Sequence, residues 1–181
     1  MRAIIVSDIH GRLNVVRKLD SLFSSFRPDK IVLLGDLFYN GPRNGVPEDY
    51  DPLACAQILN KWSRIILSVR GNCDSRADQS LVHFDLTSDS NVAYLNGFRC
   101  DLIHGDLLTS ELLSVQRGDI LLFGDTHAYM LKKMDGVVYV NPGSPSFPKN
   151  GNPPTYAVME GLHLEIRRLD GDQTMASLDL V

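Results

Sequence analysis

Short apolar runs that end in polar turns organise the first part of the chain. Residues 2–6 and 30–34 are almost wholly apolar, which is typical of buried strands. Between them, apolar residues recur at spacings of three and four over residues 13–26, and this pattern predicts an amphipathic helix that ends before Pro28. A strand, a helix and a strand in this order predict a parallel pair with a right-handed crossover.

The remainder of the chain is richer in predicted strands. A loop rich in Pro and Gly leads to a second predicted helix at 53–62 and a third strand at 64–69. Asn96-Gly97 and Asp135-Gly136 each separate two apolar segments, as in β-hairpins. The strands predicted in this half are 92–95, 98–103, 119–123, 130–134, 137–140, 155–159, 162–169 and 174–180. The pattern predicts an α/β fold in which two sheets pack face to face with helices outside.

Composition narrows the class of protein. A chain of 181 residues with 44% hydrophobic and 22% charged residues predicts one compact domain over residues 1–181. The formal net charge of -4 is evidence against a dedicated nucleic-acid surface. The chain has no apolar run of the length that a signal peptide or a transmembrane helix requires, so a cytoplasmic protein without membrane contact is expected. The three cysteines form no CxxC pair and are expected to be reduced.

Five polar segments directly follow predicted strands. They are SDIHG at 7–11, GD at 35–36, GNCD at 71–74, HGD at 104–106 and GDTH at 124–127. Ligands of open α/β sheets bind beyond the carboxyl ends of the strands, so these segments are expected to converge.

These segments carry side chains suited to divalent cations. Asp8 and His10 offer one oxygen and one nitrogen donor, and the Asp36 carboxylate can bridge two ions about 3.5 to 4 Å apart. The neutral donors are Asn72, His104 and His127. Each motif alone is common in surface turns, and only their joint occurrence after strands favours a metal site. A mixed oxygen and nitrogen set suits manganese, iron, zinc or nickel better than calcium.

The ordered series DIH, GD, GNCD, HG and GDTH, followed by NPGS at 141–144, resembles the calcineurin-like metallophosphoesterase superfamily. The segments GPRNGVPEDYDP and PKNGNPPTY further resemble the small bacterial phosphodiesterases of the YfcE type. The resemblance implies a four-layer α/β/β/α sandwich with a dinuclear metal centre. It assigns the first ion to Asp8, His10, Asp36 and His127, and the second ion to Asp36, Asn72, His104 and Asp125.

Two positions depart from the usual pattern of the superfamily. Cys73 stands where most members have a histidine that protonates the leaving group, although the small phosphodiesterase group also carries cysteine there. A thiol with an ordinary pKa near 8.5 is an indifferent acid at neutral pH, and an inert wall of the pocket is the alternative role. Asp125 replaces the first histidine of the usual GHTH. We expect it to ligate the second ion, directly or through a water, and to favour manganese or magnesium.

The function implied by the resemblance is a metal-dependent phosphodiesterase that hydrolyses small phosphodiesters by means of a metal-activated hydroxide. Asp36, Asn72, Cys73 and His104 are the predicted catalytic residues, and Arg43 and Asn44 in the long loop are expected to contact the substrate. The predicted cofactors are two divalent ions, with Mn²⁺ first and Ni²⁺, Zn²⁺, Fe²⁺ or Mg²⁺ as alternatives.

Two other functions compete with this prediction. The vacuolar-sorting subunit of the retromer complex resembles the superfamily too and uses the fold as a non-catalytic scaffold for protein interaction. That group alters the bridging aspartate and the asparagine, whereas Asp36 and Asn72 are both present here. A nuclease would generally need added domains and a basic groove, for which this chain has no room. Exposed strands near the C-terminus are candidates for pairing in a homo-oligomer.

Overall fold

The computed structural model describes residues 1–106 and 114–180. The first sheet has six strands, which are β1 Arg2–Val6, β2 Lys30–Leu33, β3 Ile66–Ser68, β9 Thr155–Glu160, β10 His163–Arg168 and β11 Thr174–Asp179. Their order in the sheet is β11-β10-β9-β1-β2-β3. Strands β1, β2 and β3 are parallel, and β9, β10 and β11 extend the sheet antiparallel beside β1.

The second sheet has five strands, which are β4 Ser90–Leu95, β5 Phe98–Ile103, β6 Ile120–Leu122, β7 Met130–Met134 and β8 Val137–Asn141. Their order in the sheet is β4-β5-β6-β8-β7. The pairs β4-β5 and β7-β8 are the two predicted hairpins, whereas β5, β6 and β8 run parallel. Both sheets are therefore mixed.

Two α-helices cover the outer face of the six-stranded sheet. Helix α1 spans Leu13–Phe26 and helix α2 spans Pro52–Asn60, and both contribute to a core with β1, β2 and β9. One end of each helix has a local cause. Asp51 caps α2 by accepting a hydrogen bond from the backbone N–H of Ala54 at 3.0 Å, and α1 ends where Arg27 turns left-handed.

A second core lies between the two sheets, where apolar residues of β1 and β2 face those of β5, β6 and β8. The predicted α/β fold with two facing mixed sheets is confirmed. The described helices lie outside the six-stranded sheet. A third cluster, which includes Leu121 and Phe123, lines the outer face of the five-stranded sheet, and among residues 1–106 and 114–180 no α-helix covers it. The predicted outer helical layer on that side stays a prediction, as does the single domain.

The sheets explain why distant polar segments meet. Motif residues follow β1, β2 and β3 in the first sheet and β5 and β6 in the second, each at the carboxyl end of its strand. Since the sheets face each other, these ends meet at one edge of the sandwich. No helix in the described part of the chain has the length and apolar character needed to span a bilayer.

Candidate metal centre

Three side chains from the first and last motifs form one half of the centre. The Asp8 Oδ1 atom lies 3.3 Å from His127 Nε2 and 3.9 Å from His10 Nε2, and the two imidazole Nε2 atoms are 3.2 Å apart. All three residues are buried. An oxygen and two nitrogen atoms at these separations can be bridged by one divalent cation.

The second half of the centre gathers around His104. Its Nε2 atom lies 3.1 Å from Asn72 Oδ1, 3.5 Å from Asp36 Oδ1 and 3.8 Å from Asp125 Oδ1. The set combines three oxygen donors with one nitrogen donor. Asn72 is exposed and Asp125 is partly accessible, whereas His104 and Asp36 are buried. This half of the centre therefore opens to solvent.

Asp36 joins the two halves. Its Oδ1 atom faces His104, and its Oδ2 atom lies 3.7 Å from His10 Nε2 in the first half. The backbone N–H of Cys73 donates a hydrogen bond of 2.8 Å to Oδ1, which fixes the rotation of the carboxylate. One oxygen on each side is the arrangement that a bridging ligand needs.

Backbone carbonyls orient the three imidazoles. The Nδ1 atoms of His10, His104 and His127 donate to the carbonyl oxygens of Tyr39, Leu34 and Phe147 at 2.7, 2.6 and 2.7 Å. A neutral histidine whose Nδ1 carries the proton has an unprotonated Nε2 with a lone pair that can bind a metal ion. In all three cases that Nε2 atom faces the centre, as metal ligation requires.

Asp8 provides the test of whether the residues fit a cation. Both of its carboxylate oxygens are buried, and neither has a hydrogen-bond partner among the described residues. A buried carboxylate without hydrogen bonds is costly unless an ion or a positive charge compensates it. The donor set of the first half therefore fits a divalent cation, and the mixed donors of the second half fit another.

The charges of the carboxylates act on the histidines. Burial opposes protonation of His104, but its hydrogen bond to Asp36 and the charge of Asp8 outweigh burial and raise its pKa to about 10. Burial likewise opposes protonation of His127, and the contact with Asp8 raises its pKa. For His10 burial prevails and lowers the pKa. The carboxylates thus attract positive charge into the centre.

The ligand candidates share an unusual backbone conformation. Asp8, His10, Asp36, Asp125 and His127 have φ angles between 53° and 64°, in the left-handed region that non-glycine residues seldom adopt. Each follows a strand or the turn after it, so the sharp turn aims the side chain across the edge of the sandwich. Asp125 shares this conformation with the four others.

Several supporting residues carry no sequence signal strong enough to assign them. Asp74 accepts hydrogen bonds from the backbone N–H groups of Asp36, Leu37 and Gly71 at 2.7, 2.8 and 2.9 Å, and so ties the second motif to the third. Asp74 is the last residue of GNCD, but nothing in that motif shows which groups it contacts. Glycine is needed at position 71 because a Cβ atom there would overlap the Asp36 carboxylate.

A small cleft of about 60 Å³ opens above the centre. Arg43 and Asn44, the predicted substrate contacts, line this cleft together with Cys73 and Asp125. Lys149 also lines it and was not predicted, since a lone exposed lysine in a loop gives no signal in the sequence. Two cationic side chains thus lie at the mouth of a cleft whose floor is acidic.

The two departures from the usual pattern both lie at the centre. Cys73 is partly buried, and burial and the Asp36 charge raise the pKa of its thiol to about 12, so the protein matrix makes it an even poorer acid than the sequence suggested. Asp125 is partly accessible, and its carboxylate points towards His104. The structure therefore brings all the predicted ligands together, and their role as ligands stays a prediction.

Comparison with known proteins identifies the family. The model of the calcineurin-like phosphoesterase superfamily domain matches residues 1–162. The chain belongs to this superfamily, as the motifs predicted. It is 36% identical over 179 residues to the phosphodiesterase YfcE of Escherichia coli K12, covering 98% of this chain and 97% of that protein. A probable metallophosphoesterase of Methanothermobacter thermautotrophicus is 27% identical, with 96% of this chain and 89% of that protein covered.

Solved structures agree with this assignment. The structure of YfcE, a phosphoesterase from E. coli, matches with a TM-score of 0.95 at 35% identity over 100% of both chains. Vps29 of Entamoeba histolytica, solved with zinc, shares the fold with a TM-score of 0.65 at 18% identity over 100% of both chains. The recognition from sequence is confirmed, and the predicted enzyme class, a phosphoric diester hydrolase, agrees with the family and with YfcE.

Proposed function

We propose that the chain is a metal-dependent phosphodiesterase that hydrolyses small phosphodiesters at a two-ion centre. The observation that carries the proposal is the convergence of Asp8, His10, Asp36, His104 and His127, with buried Asp8 oxygens that have no partner among the described residues. The 36% identity to a phosphodiesterase supports the diester class. When bound, the two cations would supply Lewis-acid activation of a water and neutralise charge on the phosphoryl group.

The protein's own residues divide the work in this proposal. Asp8, His10 and His127 would hold the first ion, and Asn72, His104 and Asp125 the second, with Asp36 shared. Arg43 and Lys149 at the mouth of the cleft would attract the phosphodiester anion and orient its free oxygens. Manganese is the proposed ion because oxygen donors outnumber nitrogen donors in the second half.

The cleft above the centre is small, at about 60 Å³. A small diester carries one negative charge and two ester groups, and we expect its ester groups to extend beyond this cleft. The cleft has no acid with a pKa near neutrality at position 73, so diesters with acidic leaving alcohols should react fastest.

The test is metal-dependent turnover of bis-p-nitrophenyl phosphate. The protein is stripped with a chelator, restored with manganese, nickel, zinc, iron or magnesium, and assayed beside a chelated control. We expect turnover that requires the added ion. Mutating a residue that only supports a metal ligand typically lowers activity by about 10- to 100-fold. Asp36→Asn should lower kcat by more than this, since it alters the ligand that the two ions would share. Substantial turnover by Asp36→Asn would remove the bridge from the mechanism.

The scaffold remains the second candidate because Vps29 shares the fold, and Asp125 and Cys73 depart from the usual motif. A protein that folds and binds metal but shows no turnover with any of these ions would favour it. The association of exposed β-strands into a homo-oligomer is a separate proposal, which sedimentation of the purified chain would test.

A further inference from the structure

A second groove adjoins the metal cleft. Its volume is about 310 Å³, within the range of small-molecule sites, and it shares Cys73 with the cleft. A potential donor atom of Cys73 lies within 4.8 Å of those of His10 and Asp36. A phosphoryl group held at Asp36 can therefore extend one ester group past Cys73 into this groove.

Aromatic side chains form the walls of the groove. Tyr39 and Tyr50 line it with Leu81, and the buried Phe38 also contributes. Tyr39 is 45% exposed. Tyr50 is held in place by the chain, since its ring packs so closely on Gly11 that a Cβ atom there would lie 2.6 Å from Cε2. Flat apolar walls of this kind suit an aromatic ring.

The charge of the groove differs from that of the cleft. Asp78 lines the groove, and its Oδ2 atom accepts a hydrogen bond of 2.7 Å from the backbone N–H of Ser75, which fixes its position. Arg43 and Lys149 line the cleft, whereas the residues that line the groove include no lysine or arginine. With cations bound at the centre, an anionic group would be attracted to the cleft and repelled from the groove.

We propose that this groove, formed by Tyr39, Tyr50, Leu81 and Asp78 beside Cys73, binds the leaving group of the substrate, and that the leaving group is an uncharged aromatic alcohol. The proposal rests on the proposed function, because it assigns a place to one ester group of the diester. Asp78 would discriminate against alcohols that carry a negative charge. Nucleotide-like leaving groups with a further phosphate are thereby disfavoured.

The groove can be tested without turnover. Binding of 4-fluorobenzyl alcohol to the full chain is measured in the presence of Mg²⁺ by the width of its ¹⁹F NMR signal, which broadens when the alcohol binds. We expect broadening in the wild type, a loss of at least about fivefold in affinity for Tyr39→Ala, and no change for Tyr94→Ala, which removes a tyrosine 72% exposed on β4. The Tyr39 backbone carbonyl, which orients His10, is retained in Tyr39→Ala. Absent broadening, or equal broadening in Tyr39→Ala and Tyr94→Ala, would overturn the proposal.

Turnover tests the leaving group itself. Methyl 4-nitrophenyl phosphate is compared with its 3-carboxy analogue, in which the carboxylate lies meta to the phenolic oxygen and leaves the acidity of the phenol similar. One unit charge about 5 Å from Asp78 in water predicts about a fourfold lower kcat/KM for the charged diester. Asp78→Asn, which retains an oxygen for the Ser75 N–H, should narrow this gap.

The outcomes separate the two proposals. Turnover of both diesters at equal rates by the wild type would overturn the leaving-group assignment while leaving the phosphodiesterase intact. No turnover of either diester with any metal would overturn the proposed function and the assignment together, even if the fluorinated alcohol binds.

Discussion

Ser144→Ala should weaken the fold and the first half of the metal centre together. Ser144 is fully buried, and its Oγ atom donates a hydrogen bond of 2.8 Å to the backbone carbonyl of Asp8. The same Oγ atom accepts hydrogen bonds from the backbone N–H groups of Ser146 at 3.1 Å and Phe147 at 2.8 Å. The Phe147 carbonyl in turn accepts from His127 Nδ1. One hydroxyl therefore connects the backbone of Asp8 to the segment that orients His127.

The size of the effect follows from these contacts. The two bonds from Ser146 and Phe147 resemble those of a helix N-cap and are together worth about 1 kcal/mol. The buried bond to Asp8 adds about 1 to 1.5 kcal/mol, because alanine removes the hydroxyl that donates to that buried carbonyl. We expect a loss of about 2 to 2.5 kcal/mol in the free energy of unfolding, or about 4 to 10 °C in Tm for a chain of this size. Because Ser144 helps to position the segment that orients His127, its loss should also lower the affinity for the first ion by about 10- to 100-fold.

Denaturation with urea in the presence of a chelator measures the free energy of unfolding of the metal-free protein. Isothermal titration with manganese measures the affinity for the ion. Ser24→Ala is the matched control, because Ser24 is exposed on α1 and donates only to Asp20 one turn earlier. Its effect should stay within about 0.5 kcal/mol. If Ser144→Ala were as stable as the control and bound manganese equally well, the proposed link between Asp8 and His127 would be wrong.

Three further predictions concern charge. Asp125→His should raise the affinity for the second ion and the rate of hydrolysis, which are measured by metal content and by turnover. If neither changed, the prediction that Asp125 is a ligand would be wrong. Because the pKa of His104 is about 10 without metal, metal binding at neutral pH should release a proton and weaken as pH falls, which titration in buffers of different ionisation enthalpy detects. Hydrogen bonding to Asp179 raises the pKa of His163, so its stabilisation is present below about pH 6.5 and lost as pH rises through the raised pKa. His163→Gln should remove that part of the pH dependence of unfolding, and an unaltered profile would contradict it.

Local pattern predicted most of the elements because their periodicity is strong. Helix α1 was predicted with the observed bounds, and both hairpins were recognised from their Asn-Gly and Asp-Gly turns. The order of the second sheet was not predicted. Strand β8 pairs with β6 as well as with β7, and the parallel β6-β8 pair is not joined by a turn, because β7 lies between the two strands in the chain. Sequence gives hairpin neighbours more readily than parallel neighbours, since the latter pair across long connections.

The candidate ligands could be predicted because each is a polar residue directly after an apolar run. The residues that hold these candidate ligands in place could not be predicted. Asp74 accepts hydrogen bonds from the backbone N–H groups of Asp36 and Leu37, and Ser144 donates one to the backbone carbonyl of Asp8. Such hydrogen bonds join residues far apart in the chain and leave no spacing that a sequence pattern could show. Lys149 likewise reaches the cleft only because the fold brings its loop there.

The buried carboxylate of Asp8 argues for a metal site over a bare scaffold. Neither of its oxygens has a hydrogen-bond partner among the described residues, which is costly unless a positive charge compensates it. A protein that used this fold only as a binding surface would gain nothing from this cost, whereas a bound cation would offset it. Asp125 has a positive φ like the candidate ligands Asp8, His10, Asp36 and His127, so the prediction that it ligates in place of a histidine is compatible with the backbone at this position.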